Sequence, residues 1–376
     1  MPKQAELPFS SSLQAGRGNT SGMSRLLPPP IDRGAAASAP VVTAVLREYL
    51  QMRLGIGDLA FRESPAAYTD GWEAHNYHFH LRSRDSLPPE FAQPLAIRIY
   101  CSPAAGPRIR REFLIQRHLY QLKYPVPQPL VLEEDCTYLD GPFLIMKRIC
   151  GPTLLHSLLR RPWRLFRGPI EMAELHARLH QLPTCGFPDW TGCLLTRRLE
   201  EMVAAIDEYG LRTLQPGLDW LLVHRPTAPN SASILHLDFH PLNLVVDQHR
   251  SLVVLDWNEA AIGDPHADVG TTVMLMDCLP PVRATSLERL SILAGQPIFY
   301  SQYLRTYRQQ MPLDENKLAY YRAFAAFRRL CNYGRWLQDG PQISGNKASM
   351  LKCITAGHCG VLERYFQRWT GVSVRL

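Results

Sequence analysis

The feature that most constrains the fold is a polar segment held between two short apolar runs in the second half of the chain. The segment, residues 236–243, reads His-Leu-Asp-Phe-His-Pro-Leu-Asn and overlaps an apolar run at 234–237. A second apolar run at 252–255 leads directly into Asp256 and Trp257. Apolar runs of this length, bounded by polar residues, are typical of short buried strands. We therefore expect two strands that form a hairpin and bring together the polar side chains that follow them.

These polar side chains are the set that phosphoryl transfer requires. The reaction needs a group that orients the acceptor hydroxyl and takes its proton, and a divalent cation that bridges the phosphates. Asp238 suits the first task, and the oxygens of Asn243 and Asp256 are hard ligands that suit Mg²⁺. The structural alternatives are a loop cap for Asp238 and a turn-stabilising role for Asn243. His236 is expected to hydrogen-bond within the loop rather than to transfer a proton.

The order of secondary-structure patterns divides the chain into three parts. Residues 1–40 are rich in Ser, Gly, Ala and Pro without a sustained period, which predicts a disordered tail. Residues 41–150 open with an amphipathic helical pattern and continue with alternating strands, 95–100 among them, around one helix at 108–122. Residues 151–376 are mainly helical. The patterns predict an α+β protein with a small lobe, built of strands and one helix, before a larger helical lobe.

The motifs resemble those of the aminoglycoside phosphotransferase and choline kinase family. The family signature reads H-x-D-x-x-x-x-N, then a strand that ends in an Asp-aromatic pair, then G-D-P-x-x-D, and residues 236–270 carry the three elements in this order. The resemblance implies a bilobal protein-kinase-like fold whose N-terminal lobe has an antiparallel sheet. It also implies Mg²⁺-dependent transfer of the γ-phosphoryl group of ATP (or GTP) to a small hydroxyl acceptor, such as an aminoglycoside, amino-alcohol or sugar. Asp238 would then be catalytic, and Asn243 and Asp256 would bind the metal.

The N-terminal lobe, residues 41–150, offers a matching nucleotide site. Its run Leu-Ala-Ile-Arg at 95–98 is similar to the V-A-I-K strand of kinases, whose Ala packs on adenine and whose Lys holds the phosphates. Strand alternation places Ala96 and Arg98 on one face. Glu112 falls on the buried face of the next helix, where an unpaired acid is costly, so we expect it to pair with Arg98. The resemblance implies that backbone groups near Met146 and Arg148 receive the adenine.

Two departures from the family pattern leave a second interpretation open. Arg98 stands where the family usually has Lys, and a guanidinium group is larger, planar and bidentate. The segment 68–77 contains Gly71 and Asn76 but no G-x-G-x-x-G loop. The alternative function is therefore a nucleotide-binding pseudokinase that acts as a scaffold or regulator. A protein kinase is disfavoured because no A-P-E segment follows Asp256.

Composition argues against several other classes of protein. The formal net charge of +7 comes from basic residues spread along the chain without a recognition motif, so we expect no nucleic-acid partner. No apolar run reaches the roughly 18–20 residues of a membrane span, so we expect no membrane partner. The nine cysteines include no C-x-x-C pair, which favours a reducing compartment and predicts a cytoplasmic protein. The sequence leaves the oligomeric state open.

The remaining acidic residues of the C-terminal lobe, 151–376, have less defined roles. Asp264 and Asp268 are expected to tie the loop backbone and cap the next helix rather than bind metal. The acceptor is expected between residues 154 and 229 and at the C-terminal helices. Four acids in that region could receive a cationic acceptor, but a solvated helix face is the preferred explanation. These acids are Glu200, Glu201, Asp207 and Glu208.

Overall fold

The computed structural model describes most of the chain from residue 39 onwards. The described residues are 39–67, 74–84, 86–100, 102, 105–188, 192–229, 231–278, 286–338 and 356–376. The expected tail over 1–40 lies outside them, except that Ala39 and Pro40 begin the first helix. Gly71 also lies outside the described residues.

The N-terminal part is a five-stranded antiparallel sheet with a helix packed on each face. In the spatial order β1-β2-β3-β5-β4, the strands are β1 (Ala60–Ala67), β2 (Ala74–Arg82), β3 (Leu95–Tyr100), β5 (Phe143–Lys147) and β4 (Pro129–Glu133). Helix α1 (Ala39–Leu54) covers one face, where Leu46 packs in one core with Phe79. Helix α2 (Gly106–Gln121) covers the other face, where Ile109 packs with Leu144.

Strand alternation decides which residues of β3 face away from the core. Leu95, Ile97 and Ile99 are at most 4 % exposed and pack in the core that α1 covers. Ala96 and Arg98 lie on the opposite face, as predicted, and both are half-buried. This face therefore presents a small side chain and a cation next to each other on one strand.

The C-terminal part is mainly helical. Its helices are α3 (Leu154–Arg160), α4 (Gly168–His180), α5 (Leu194–Glu208), α6 (Gln215–Val223), α7 (Pro265–Asp277), α8 (Ser286–Gln310), α9 (Glu315–Gln338) and α10 (Ala356–Thr370). Helix α7 is buried almost all round and packs against α9. None of the helices in the described ranges combines the length and the apolar character that crossing a membrane requires.

A glycine makes the contact between α7 and α9 possible. A Cβ atom added at Gly270 would lie 2.9 Å from the backbone carbon of Tyr321 and 3.1 Å from the backbone nitrogen of Arg322. Both atoms belong to the backbone of α9, so they cannot move aside cheaply. Gly270 therefore allows the two helices to approach more closely than any other residue would.

The two strands expected from the sequence do not pair with each other, so the predicted hairpin is wrong. Strand β6 (Ser233–Leu235) pairs with β9 (Ala261–Gly263), and β7 (Leu244–Val246) pairs with β8 (Leu252–Val254). The physical reason is local. The turn between β7 and β8 is stabilised by Asp247, whose Oδ1 accepts hydrogen bonds from two backbone N–H groups at 2.8 and 2.9 Å. The apolar run that follows Asn243 therefore reaches β8 by a short connection.

Candidate active site

Asp238 and Asn243 lie at the two ends of the loop between β6 and β7. Asn243 Nδ2 donates to Asp238 Oδ2 at 2.9 Å and to the Asp238 backbone oxygen at 3.0 Å. The Asp238 side chain is 29 % exposed, so it is accessible to a small molecule. Because the nitrogen of Asn243 is engaged with Asp238, its Oδ1 is the end that remains for another ligand.

Asp256, which follows β8, lies next to this loop. The Leu255 backbone N–H donates to the Asn243 carbonyl at 2.9 Å, which fixes the position of the next residue. The Asp256 side chain is 38 % exposed, and its Oδ1 accepts a hydrogen bond from Asn258 Nδ2 at 2.8 Å. The structure thus brings together the three residues expected to form one site. An exposed carboxylate beside a carbonyl oxygen of Asn243 fits a Mg²⁺ ion, which prefers hard oxygen ligands.

The backbone of the loop is held by Asp268 of α7. Asp268 Oδ2 accepts from His236 N at 2.5 Å, and its Oδ1 accepts from Leu237 N at 2.7 Å. Leu237 needs this support because its φ of +62° lies in the left-handed region, which costs a branched residue roughly 1 kcal/mol or more. The backbone-tying role expected for Asp268 is confirmed, and His266 N donates to Asp264 Oδ1 at 3.0 Å, which confirms the helix cap.

A buried histidine pair on α4 completes the surroundings of Asp268. Nε2 of His176 and Nε2 of His180 lie 3.1 and 3.2 Å from Asp268 Oδ2. Their Nδ1 atoms lie 2.6 Å from the hydroxyls of Tyr303 and Tyr307, respectively. Two histidines and an aspartate could also hold a metal. Here the tyrosine hydroxyls bind both Nδ1 atoms and two backbone N–H groups of the loop donate to Asp268, whereas His176 Nε2 makes no hydrogen bond within the described residues.

His236 stabilises the loop from within. Its Nε2 lies 2.9 Å from the Leu255 carbonyl, and its Nδ1 accepts from Asp238 N at 3.2 Å. These bonds connect Asp238, through His236, to Leu255, the residue before Asp256. The expectation that His236 hydrogen-bonds within the loop is confirmed.

Arg98 lies between two carboxylates, one from each part of the chain. Its Nη1 lies 2.7 Å from Glu112 Oε1 on α2 and 3.5 Å from Asp256 Oδ1. The predicted pair of Arg98 and Glu112 is confirmed. Glu112 is 3 % exposed, and its Oε2 lies 2.7 Å from the Tyr100 hydroxyl. Burial raises the pKa of Glu112 although Arg98 opposes the shift. The contacts with Arg98 and with the Tyr100 hydroxyl therefore offset part of the cost of burying this carboxyl group.

The residues expected to receive adenine lie together on the sheet. Ala96 is paired with Met146 across β3 and β5, and with His78 across β2 and β3. Arg148 N donates to the Pro94 carbonyl at 2.9 Å, and Arg148 Nη1 lies 3.0 Å from His78 Nδ1. Ala96, Met146 and Arg98 therefore lie on one face of neighbouring strands.

Two basic side chains, His240 and Arg329, lie close to the Asp238 carboxylate. His240 Nε2 lies 3.5 Å from its Oδ2, and Arg329 Nη2 of α9 lies 3.8 Å from its Oδ1. Burial alone would raise the pKa of Asp238, but His240 and Arg329 outweigh burial and hold this pKa well below the ordinary value of 3.8. Asp238 is therefore ionised at neutral pH.

A cavity of about 320 Å³ opens next to Asp238, between α5, α7 and α9. Leu237 and Arg329 belong to its wall, which connects it to Asp238. Under the wall, Glu259 accepts hydrogen bonds from Arg198 Nη2 at 2.7 Å and from Arg328. Burial would raise the pKa of Glu259, but the two arginines lower it to about 2. Glu259 is therefore a fixed negative charge shared by two guanidinium groups.

Sequence reasoning missed several residues of this site. Asn258 and Glu259 directly follow the Asp256-Trp257 pair, so an extension of that motif by two residues would have found them. Arg328 and Arg329 interrupt an otherwise apolar helical pattern, which was a signal for a cleft-facing pair. Tyr100 gave no signal, since an aromatic residue at a strand end is common.

Comparison with known proteins agrees with these motifs. The family model described as the phosphotransferase enzyme family matches residues 66–309. Among curated proteins, the chain is 24 % identical over 174 residues to Acyl-CoA dehydrogenase family member 11 of Homo sapiens, covering 43 % of this chain and 22 % of that protein. It is 27 % identical over 237 residues to Acyl-CoA dehydrogenase family member 10 of Mus musculus, covering 58 % of this chain and 22 % of that protein. The chain thus spans about a fifth of the length of these relatives.

Solved structures share the fold. A Ralstonia eutropha protein named after the aminoglycoside phosphotransferases superposes with a TM-score of 0.61 at 19 % identity, covering 88 % of this chain and 98 % of that one. A ternary complex of the aminoglycoside phosphotransferase APH(4)-Ia with AMP-PNP and hygromycin B superposes with a TM-score of 0.56 at 16 % sequence identity, covering 85 % of this chain and 98 % of that one. A choline/ethanolamine kinase family protein of Mesorhizobium loti superposes with a TM-score of 0.53 at 15 % sequence identity, covering 88 % of this chain and 98 % of that one.

These neighbours confirm the predicted α+β, bilobal protein-kinase-like fold. The family model covers well over half of the chain and includes Asp238, Asn243 and Asp256. The chain belongs to the phosphotransferase enzyme family.

Proposed function

We propose that the protein transfers the γ-phosphoryl group of ATP, with Mg²⁺, to a hydroxyl group of a small molecule. The observation that carries the proposal is the meeting of two pairs of residues at one place. Asp238, ionised and hydrogen-bonded to Asn243, lies beside Asp256, which in turn lies 3.5 Å from the Arg98 that Glu112 holds. Asp238 and Asn243 suit an acceptor hydroxyl, and Asp256 and Arg98 suit phosphates.

At the acceptor end, Asp238 would orient the attacking hydroxyl. Its low pKa makes it a weak base but a reliable hydrogen-bond acceptor, so it aligns the hydroxyl and takes the proton as the new P–O bond forms. Asn243 fixes the carboxylate through the 2.9 Å bond to Oδ2. Positioning of this kind supplies most of the rate enhancement in phosphoryl transfer, where little covalent chemistry is needed from the protein.

At the nucleotide end, Asn243 and Asp256 would hold Mg²⁺, which neutralises the charge that develops on the phosphates when it is bound. Arg98 would contact the phosphates, and Glu112 would position Arg98 from the buried side. Ala96 and Met146 offer an apolar surface for adenine. The Arg148 N–H already donates to the Pro94 carbonyl, so we propose that other backbone groups near Arg148 receive the base. The similar fold of APH(4)-Ia, solved with AMP-PNP, supports a nucleotide at this place; GTP would fit the same contacts.

The alternative is a nucleotide-binding pseudokinase. It is motivated by Arg98 in place of the usual Lys, and the two proposals differ in whether a phosphoryl group leaves the nucleotide. The complete set of Asp238, Asn243 and Asp256 favours the enzyme, because a scaffold needs no ionised carboxylate at the acceptor side.

The test is phosphoryl transfer from ATP to a panel of alcohols, sugars and amino-alcohols by the wild-type protein and by Asp238→Asn. We expect transfer by the wild type, and a loss of about 10²- to 10⁴-fold in the variant with ATP affinity within about threefold, because Asp238 contacts the acceptor and not the nucleotide. The exposed Asp219→Asn is the matched control and keeps the wild-type rate. Magnesium-dependent ATP binding without transfer to any acceptor would favour the pseudokinase, and a wild-type rate in Asp238→Asn would refute the role of Asp238.

A further inference from the structure

We propose that the acceptor is an anion, an alcohol that carries a carboxylate or phosphate group, and not a polycation. This inference rests on the proposed function and adds the substrate class. The observation behind it is the charge of the cavity of about 320 Å³ beside Asp238. A cavity of this volume suits a small molecule.

The position of the cavity makes it the place for the body of the acceptor. Its wall includes Leu237, the neighbour of Asp238 in the chain, and Arg329, which lies 3.8 Å from Asp238 Oδ1. An acceptor whose hydroxyl group meets Asp238 therefore extends into this space. The groups that line it decide which acceptors bind.

The wall is rich in arginine. Four guanidinium groups reach it from three separate elements: α5, the segment after α6, and α9. They are Arg198, Arg225, Arg328 and Arg329. Among the described residues that line the cavity, Asp264 is the only carboxylate, and its side chain is 2 % exposed and engaged with His266 and Lys317. The cavity thus has a cationic lining.

Carboxylates beside the cavity offset only part of this charge. Glu259 is shared by Arg198 and Arg328, and Arg198 also lies 2.8 Å from Glu201. Arg329 faces Asp238. Arg225 is exposed and donates to Thr196, and no ion pair links it to any carboxylate of the described residues. One guanidinium group at the mouth of the cavity therefore remains for an anionic ligand.

The four acidic residues that could receive a cationic acceptor do not line the cavity. Glu201 lies against Arg198, and Asp207 lies 4.0 Å from Arg212. Glu200 and Glu208 are exposed on α5 and are absent from the cavity wall. A polycation that enters the cavity would meet like charges, whereas a carboxylate or phosphate gains charge-assisted hydrogen bonds from arginine forks.

The chemical step is the same for any such alcohol. The acceptor oxygen forms a bond to the γ-phosphorus, and the bond from that phosphorus to the bridging oxygen of ADP breaks. ADP leaves with the electron pair, and the hydroxyl proton passes to Asp238 and then to water. The anionic group of the acceptor takes no part in bond formation; it binds the arginines and positions the hydroxyl.

The experiment compares acceptors that differ only in charge. One set is 3-hydroxybutyrate, its neutral amide 3-hydroxybutyramide, and the cationic 4-aminobutan-2-ol. A second set is glycerol 3-phosphate and glycerol, and hygromycin B serves as a polycation. We expect kcat/KM for the anionic member of at least one set to exceed that of its neutral and cationic partners by roughly tenfold or more. Whether the carboxylate or the phosphate set responds identifies the anionic group.

A variant links this preference to the cavity. Arg225→Gln, at an exposed position, should raise KM for the anionic acceptor by roughly tenfold, with kcat and the KM of the neutral partner little changed. Arg225→Lys should restore part of the affinity. The control is Arg212→Gln, an exposed arginine outside the cavity, which should keep the wild-type preference.

The outcomes separate this inference from the proposed function. Transfer that is equal across charges, or faster to 4-aminobutan-2-ol or hygromycin B, would overturn the anionic acceptor and leave the kinase activity standing. An unchanged preference in Arg225→Gln would also overturn it. No transfer to any member, with no magnesium-dependent ATP binding, would overturn the proposed function itself, and this inference with it.

Discussion

Two residues of the site have a left-handed backbone conformation, which residues other than glycine seldom adopt. Leu237 and Asp256 both have φ of +62°. Leu237 directly precedes the Asp238 carboxylate, and Asp256 carries a carboxylate itself. The conformation costs roughly 1 kcal/mol or more per residue, and hydrogen bonds from the loop backbone to Asp268 and His236 offset it. The site is therefore maintained by its surroundings, and the local sequence alone would not adopt it.

Arg98 supports a prediction at the residue scale. Arg98→Ala should weaken ATP binding by roughly tenfold or more, because a charge-assisted contact to phosphate is lost, and calorimetric titration with a non-hydrolysed ATP analogue measures it. Arg98→Lys should retain most of the affinity, since it keeps the charge. The double variant Arg98→Ala with Glu112→Gln removes the unpaired buried acid, so it separates loss of binding from loss of stability. Unchanged affinity in all three would show that Arg98 does not contact phosphate.

Single residues with chemical signatures could be predicted from the sequence. Asp238, Asn243 and Asp256 lie as one cluster, as their spacing implied, and the Arg98–Glu112 pair followed from strand alternation and helix periodicity. Arg329 could not be predicted, because nothing in a helical pattern says which distant loop its side chain will meet. That contact depends on tertiary packing alone.

At the scale of elements, helices were easier to predict than short strands. The expected helix at 108–122 is observed at Gly106–Gln121, and strand 95–100 at Leu95–Tyr100. Long periodic patterns carry this information. The partner of β6 could not be predicted, because a strand of only three residues, such as Ser233–Leu235, has no register signal to choose between β8 and β9.

The close contact of α7 and α9 gives a prediction at this scale. Gly270→Ala should lower the free energy of unfolding by about 1–3 kcal/mol, because the new methyl group overlaps the backbone of α9. Asp268 lies two residues earlier on α7, so phosphoryl transfer should fall more than nucleotide affinity. Chemical denaturation and steady-state kinetics measure the two effects.

Gly360→Ala is the matched control for this helix substitution. Its Cβ would meet only the end of the Arg364 side chain, at 3.2 Å, so we expect no loss of stability and a gain of up to about 1 kcal/mol from helix propensity. Equal effects of the two substitutions would contradict the tight α7–α9 contact as the cause.

At the scale of the whole molecule, stability should depend on acid pH. Burial lowers the pKa of His176 to about 4 although Asp268 opposes the shift, so the folded state keeps His176 neutral while the unfolded chain protonates it near 6.5. The stabilisation is present above pH 6.5 and is lost as the pH falls toward 4. Between these values the free energy of unfolding should fall by about 1.4 kcal/mol per pH unit from this group.

A variant tests the assignment of that slope. His176→Asn should flatten the pH dependence between 6.5 and 4, whatever its effect on stability at neutral pH, and the exposed His249→Asn should keep the wild-type slope. Glu259, with a pKa of about 2, adds a further loss between about pH 4.5 and 2 in both proteins. A slope that is unchanged in His176→Asn would show that this histidine is protonated in the folded state.

The cationic cavity is a property of the whole molecule that no segment contains. Its four arginines span more than a hundred residues of the chain, from Arg198 to Arg329, and nothing in the sequence shows that they line one cavity. Composition gave the surplus of positive charge, but only the fold collects it at one place.

The position of Arg98 between Glu112 and Asp256 has a consequence for the empty enzyme. Before any nucleotide arrives, two acids of the protein already serve as counter-ions for Arg98, the group that we propose binds phosphate. An incoming phosphate group would therefore replace a carboxylate as the counter-ion of Arg98, rather than bind a guanidinium group that has no partner. Selection among nucleotides then depends on shape and on the accompanying magnesium rather than on long-range attraction.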